Sequence, residues 1–121
     1  MIMSYIETML AAVLAENKDA YYQSAEKMAA LFCKYGAIRV VESWGVNVPE
    51  GELTSMPKAV DRQAGEVVIS SIIFRPSREI RDKAFEKVMS SSEARKAMPM
   101  GLFDSKRMIF GGFEIMVDCK G

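Results

Sequence analysis

The residues able to do chemistry are few. Histidine is absent from the 121-residue chain, which excludes Ser-His-Asp and Cys-His nucleophile systems, a His-ligated haem and a His-containing zinc site. What remains are acids and arginines set among apolar neighbours. Glu7 interrupts an apolar run. Burying a carboxylate unpaired is costly, so Glu7 is either a ligand-facing acid or general base or one half of an edge or interface salt bridge. Glu42 shares a strand face with Ile38, Val40 and Trp44. An acid beside an aromatic wall makes a pocket for a small polar ligand; the alternative is a dimer-stabilising ion pair with an arginine such as Arg107. Arg39, three positions from Glu42, points to the opposite face because side chains alternate along a strand. Arg107 has the fork geometry to hold a carboxylate or phosphate, or it is a strand-end surface charge. Catalytic candidates are therefore Glu7 and Glu42, and ligand-binding candidates are Arg39, Trp44 and Arg107. No metal site and no cofactor is expected.

Several other residues favour plain structural roles. Cys33 and Cys119 lie far apart with no CxxC spacing, the pattern of two reduced thiols in a cytoplasmic protein. The 10 methionines fall mostly on core positions, where Met fills gaps, although Met98 and Met100 beside Pro99 could form a lid. Gly111-Gly112 inside a strand implies a bulge, a close approach or room for a ligand. The strand-turn-helix context of a phosphate-cradling glycine loop is missing.

These side chains need a scaffold, and the hydrophobic pattern supplies one. Ser4 to Ala15 reads as a strand, with Asn17 as the cap of the following helix. Lys18 to Tyr35 is a helix with a stripe of Tyr21, Ala25, Met28, Phe32 and Tyr35, stopped by Gly36. Ala37 to Val48 is a second strand, followed by a loop marked by Pro49, Gly51 and Pro57. Glu66 to Arg75, dense in β-branched residues, is a third strand. Ser77 caps a second helix with a stripe of Ile80, Ala84, Val88 and Met89, and its 78–87 stretch reads as a solvated mixed-charge face. Ser92 caps a further short turn, and Arg107 to Val117 is the last strand. The order is β-α-β-β-α-β, which predicts an α+β, ferredoxin-like single domain spanning 1–121: a four-stranded antiparallel sheet with two helices on one face.

Composition narrows the partners. Sixteen basic residues balance sixteen acidic ones, so no basic excess exists to bind nucleic acid. No run reaches the ~18 apolar residues of a membrane span. Glu7 breaks the N-terminal apolar run and no basic segment precedes it, which argues against a secretory signal. The strands carry the strongest hint of assembly. Val67, Ile69 and Ile73 line one face of the third, while Val68, Ile72 and Phe74 line the other; the first and last strands are apolar on both sides too. Two helices cover one face only, and an apolar patch that large is not left bare on a soluble monomer. The expected solution is a twofold homodimer packed sheet against sheet.

The motifs Ala37-Ile38-Arg39-Val40-Val41-Glu42, Trp44-Gly45, Pro49-Glu50-Gly51, Val67-Val68-Ile69-Ser70, Pro76-Ser77 with Arg81-Asp82, and Lys106-Arg107-Met108-Ile109-Phe110-Gly111-Gly112-Phe113 resemble those of the YbaA-like domain-of-unknown-function family. The resemblance spans nearly the whole chain and implies the dimeric α/β-barrel superfamily. It departs at Glu7, where members have an aspartate, at Val46-Asn47, where they favour two acids, and at Ser71, where an aromatic is common. No catalytic residue is established for the family, so none carries over. The functional expectation is a homodimer that binds or converts a small apolar or aromatic molecule in a cavity between the sheets. The alternative is a non-catalytic structural or interaction module with a closed interior.

Overall fold

The computed structural model describes residues 4–98 and 101–121. The expectation of a lid at Met98 to Met100 falls on Pro99 and Met100, outside the described residues. Four strands, β1 (Tyr5–Leu14), β2 (Arg39–Trp44), β3 (Glu66–Arg75) and β4 (Ile109–Glu114), form one antiparallel sheet in the order β2-β3-β1-β4. Helices α1 (Lys18–Lys34), α3 (Arg78–Met89) and α4 (Ser92–Ala97) lie on one face, and a short α2 (Met56–Ala59) sits in the loop between β2 and β3. This is the ferredoxin-like α+β arrangement, with an open sheet rather than a closed barrel.

The register assigns every strand residue to a face. Opposite Met9 stands Ser71, opposite Ala11 stands Ile69, and opposite Glu42 stands Ser71. The helix-covered face therefore carries Glu7, Met9, Ala11 and Val13 of β1, Ile69, Ser71, Ile73 and Arg75 of β3, and Val40, Glu42 and Trp44 of β2. Tyr21 and Ala25 of α1 close the main core over Ala11, Val13 and Ile69. Met28 and Leu31 of α1 meet Val88, Ala94 and Ala97 in a second core that fastens α3 and α4 to α1.

The other face is only partly covered. After Trp44 the chain turns at Gly45, whose amide donates to the Val68 carbonyl at 2.9 Å. A side chain there would meet that carbonyl oxygen at 2.6 Å. The following loop folds back over one end of the face, where Val60 packs on Ala12 and Val68. The remainder, centred on Ile6, Leu10, Val41, Ile72 and Phe74, stays partly open, and Ile109 and Phe113 are 41% and 53% exposed.

Several boundaries and assignments differ from expectation. β2 ends at Trp44 rather than Val48, because the chain turns away once Gly45 has made a last bond to the Val68 carbonyl. β4 runs from Ile109 to Glu114 rather than from Arg107 to Val117, and the Ile115 amide adds one more bond to the Ser4 carbonyl at 3.0 Å. α4 is capped by Ser91, whose hydroxyl accepts from the Ala94 amide, not by Ser92. Asn17 makes no side-chain cap, because a 3-10 turn over Ala15–Asn17 leads directly into α1. Ile80 and Met89 are exposed rather than buried. Gly111 and Gly112 form no bulge; they continue the regular ladder opposite Thr8 and Glu7. α2 has a readable signal that sequence inspection missed: Ser55 accepts from the Lys58 amide, and Pro57 sits in the first turn.

Candidate functional site

Between α1 and the edge strand β2 lies an open groove of about 250 Å³, lined chiefly by apolar atoms. It forms because small residues, Ala25 and Ala29, recur on the α1 face that looks at β2, while Tyr21 and Tyr22 of α1 and Trp44 of β2 supply the walls. Glu42 lies at its sheet side. The Ser71 hydroxyl, directly across the β2–β3 ladder, donates to Glu42 Oε2, and the Tyr21 hydroxyl donates to the same oxygen over a long 3.4 Å. Lys18 stands at the mouth with its ammonium 5.4 Å from the centre of the Trp44 ring, a cation–π distance.

The electrostatics follow from burial. Desolvation raises the Glu42 carboxyl pKa above its ordinary value, and the hydrogen bonds from Ser71 and Tyr21 oppose that rise. Desolvation and the neighbouring Glu42 charge push the Tyr21 phenol well above the tyrosine range, so it stays a donor. No arginine neutralises Glu42 among the described residues. The groove thus holds a proton-accepting carboxyl, a hydroxyl donor and aromatic walls in one apolar recess. The chemistry open to such a set is hydrogen bonding and proton transfer.

The other sequence candidates are elsewhere. Glu7 is on the same helix-covered face as Glu42 but two strands away. Arg75 Nε donates to Glu7 Oε1 at 2.6 Å, and Arg81 Nε of α3 lies 3.1 Å from Oε2. The salt-bridge reading of Glu7 therefore matches its geometry, and neither acid faces the open side of the sheet. Arg39 sits on that open side, exposed, with its guanidinium 5.6 Å from the Phe74 ring centre. Arg107 does not reach Glu42. It holds Glu66 bidentately at 2.8 and 2.9 Å, touches Asp104, and donates to the Asp61 carbonyl at 2.9 Å. It fastens the start of β3 to two loops, and the Arg107 bond holds Glu66 below the usual carboxylate range. Of the five sequence candidates the structure brings together Glu42 and Trp44 only.

Two partners escaped the sequence. Tyr21 reads as packing, and it does pack, while its hydroxyl serves Glu42. Ser71 is one of two adjacent serines in a β-branched strand, and pairing β2 with β3 in register would have put it opposite Glu42. No group of three or more acids or cysteines capable of holding a metal occurs among the described residues.

Residues 4–105 match the family model "Protein of unknown function (DUF1428)". The chain is 43% identical over 116 residues to "Uncharacterized protein YbaA" of Escherichia coli strain K12, covering 96% of this chain and 99% of that one. Among solved structures, a dimeric ferredoxin-like protein from an uncultured marine organism superposes with a TM-score of 0.65 at 12% identity, covering 99% and 94% of the two chains. A putative antibiotic biosynthesis monooxygenase from Bacillus cereus gives 0.56 at 11% identity, covering 99% and 100%. At such identities the structural matches speak for the fold alone.

Proposed function

We propose that this chain, which belongs to the DUF1428 family of proteins of unknown function, is a cytoplasmic homodimer that binds a small, flat, largely apolar molecule in the α1–β2 groove. Glu42 serves there as proton acceptor or hydrogen-bond acceptor. The observation that carries the reading is the Glu42 carboxyl itself: semi-buried at the wall of a groove and, among the described residues, unneutralised by any arginine and bonded only to hydroxyls. The Trp44 ring supports one face of a planar ligand, and the Tyr21 hydroxyl gives up its long bond to Glu42 to donate to an oxygen on it. Where the ligand is enolisable, its acidic proton passes to Glu42 and the electron pair moves onto that oxygen. No cofactor takes part.

The dimer forms through the open sheet face. Ile6, Leu10, Val41, Ile72, Phe74, Ile109 and Phe113 make one apolar surface, and sheet-on-sheet packing in closed twofold symmetry covers it. That a neighbour of the same fold is described as dimeric supports this reading. Light scattering should give twice the 13.5 kDa chain mass, and Ile72→Asp should leave the single-chain mass.

Trp44 is the single tryptophan, so its fluorescence reports on the groove alone. A screen of aromatic and enolisable small molecules should find compounds that quench Trp44 saturably. Glu42→Gln should weaken them by about tenfold or more, equal to about 1.4 kcal/mol, while leaving the dimer intact. Unchanged affinity in Glu42→Gln would remove Glu42 from the function. Loss of the dimer would make it a structural residue.

A further inference from the structure

The α1–β2 groove has a polarity along its length. Its α1 wall is one helical stripe of Lys18, Tyr21, Tyr22, Ala25, Glu26 and Ala29. Its sheet wall is Val40, Glu42 and Trp44, alternate residues of β2. Two contacts align the walls. The Lys18 ammonium lies 5.4 Å from the centre of the Trp44 ring, and the Tyr21 hydroxyl reaches Glu42. The helix and the strand therefore run in opposite directions along the groove. Lys18 and Trp44 mark one end, and Tyr21 and Glu42 mark the middle. Glu26 lies beyond them, about 12 Å along the helix axis from Lys18.

A cation thus stands at one end of the groove, with two acids further in. Among the described residues no carboxylate pairs with Lys18. Its ammonium rests on the indole face instead, a weak contact at an exposed site. The flexible lysine stem lets that charge leave the ring for a stronger partner. An anionic group is such a partner, and it fits at this end alone, since further along it meets Glu42 and Glu26. From Trp44 to Glu42 is one alternate step of the strand, about 7 Å. That step is close to the span of one aromatic ring with a polar group at each end.

We propose that the groove selects a hydroxylated aromatic acid, with Lys18 as the residue that reads its charge. The carboxylate pairs with the Lys18 ammonium, and the ring takes the place of that ammonium against Trp44. A hydroxyl one ring away donates to Glu42 and accepts from Tyr21. A neutral flat molecule lacks the first contact and must also compete with Lys18 for the indole face. The inference rests on the groove reading above and adds to it the charge and the length of the ligand.

The probes are 4-hydroxybenzoate, its neutral methyl ester and benzoate, each titrated into the full-length protein and read by Trp44 fluorescence. At low salt 4-hydroxybenzoate should bind about fivefold more tightly than the ester. The gap should narrow as added salt screens the Lys18 pair. In Lys18→Met the acid and the ester should bind equally, and in Lys18→Arg the preference for the acid should return. Benzoate, which lacks the hydroxyl, should bind more weakly than 4-hydroxybenzoate. An ester that binds as tightly as the acid overturns the inference and leaves the groove reading standing. So does a preference for the acid that survives unchanged in Lys18→Met, or benzoate that binds as tightly as 4-hydroxybenzoate. If none of the three quenches Trp44 saturably, the inference falls. The groove reading falls with it only when the neutral compounds of the wider screen also fail to bind.

Discussion

Glu7 and Glu42 project from the same face of one sheet under the same layer of helices, yet they live in opposite surroundings. Glu7 lies between two guanidiniums, one of them almost wholly buried. Glu42 has only the hydroxyls of Ser71 and Tyr21, and a groove beside it. The difference is a matter of which strand ends and helix stripes each acid meets. β1 runs beside the end of β3, where Arg75 turns inward, and beneath α3, which contributes Arg81. β2 is an edge strand, and the α1 residues facing it are small or aromatic. A carboxylate between arginines is fixed in place. A carboxyl desolvated beside an apolar groove keeps its proton more readily, even against the bonds from its hydroxyl partners, and stays available to something else.

The contrast can be broken most severely at Arg75. Arg75→Met removes the buried partner of Glu7 and should cost about 3–5 kcal/mol in urea unfolding, the usual price of stranding one half of a buried pair. A loss below about 1 kcal/mol would mean that Arg81 alone suffices and that the cluster matters little to the fold. A smaller effect is expected on the Glu42 side. Ser71→Ala should cost about 1 kcal/mol, a typical net hydrogen bond. Because the Ser71 bond lowers the Glu42 pKa against desolvation, the same variant should move the Glu42 titration further upward, as read by carboxyl carbon NMR. A downward move would show that Ser71 favours the protonated acid.

Smallest of all is the effect of pH through Glu42. Its folded-state pKa is raised above the ordinary 4.5, so the folded chain holds this proton more tightly than the unfolded chain does. The penalty is absent below the unfolded value and appears as pH rises through the raised one. Wild-type stability relative to Glu42→Gln should therefore decline from pH 4.5 towards neutrality. Glu66 has the opposite sign. Its lowered pKa adds stability above the ordinary value of 4.5, and that is lost as pH falls through the folded one. Glu42→Gln leaves that second trend intact, so the difference between the two proteins isolates Glu42.

The fold was largely legible. The β3 boundaries follow from the β-branched run Glu66 to Arg75 and the proline after it, and α1 starts at the expected Lys18 and stops one residue short of the expected Tyr35. Both faces of β3 fall where alternation puts them. The ends of β2 and β4 were not legible, because they depend on Gly45 approaching the Val68 carbonyl and on what lies beside the final strand. Of the site, Glu42 and Trp44 could be joined by period-2 spacing alone. Tyr21 and Ser71 could not, since they arrive from a helix and a neighbouring strand whose register a local pattern does not specify. Arg81 was hidden in a stretch of alternating charges that reads as solvated, and only the tilt of α3 over β1 turns it towards Glu7. Arg107 was misjudged for a similar reason: its partner, Glu66, is distant in sequence and at the start of another strand.

Native mass spectrometry of gently purified wild-type protein and Glu42→Gln tests the central claim most directly. The wild type should appear as a dimer of the 13.5 kDa chain carrying a small molecule that denaturation releases, and Glu42→Gln should appear as the same dimer without it. A molecule retained equally by both proteins would contradict the assignment of the groove to Glu42.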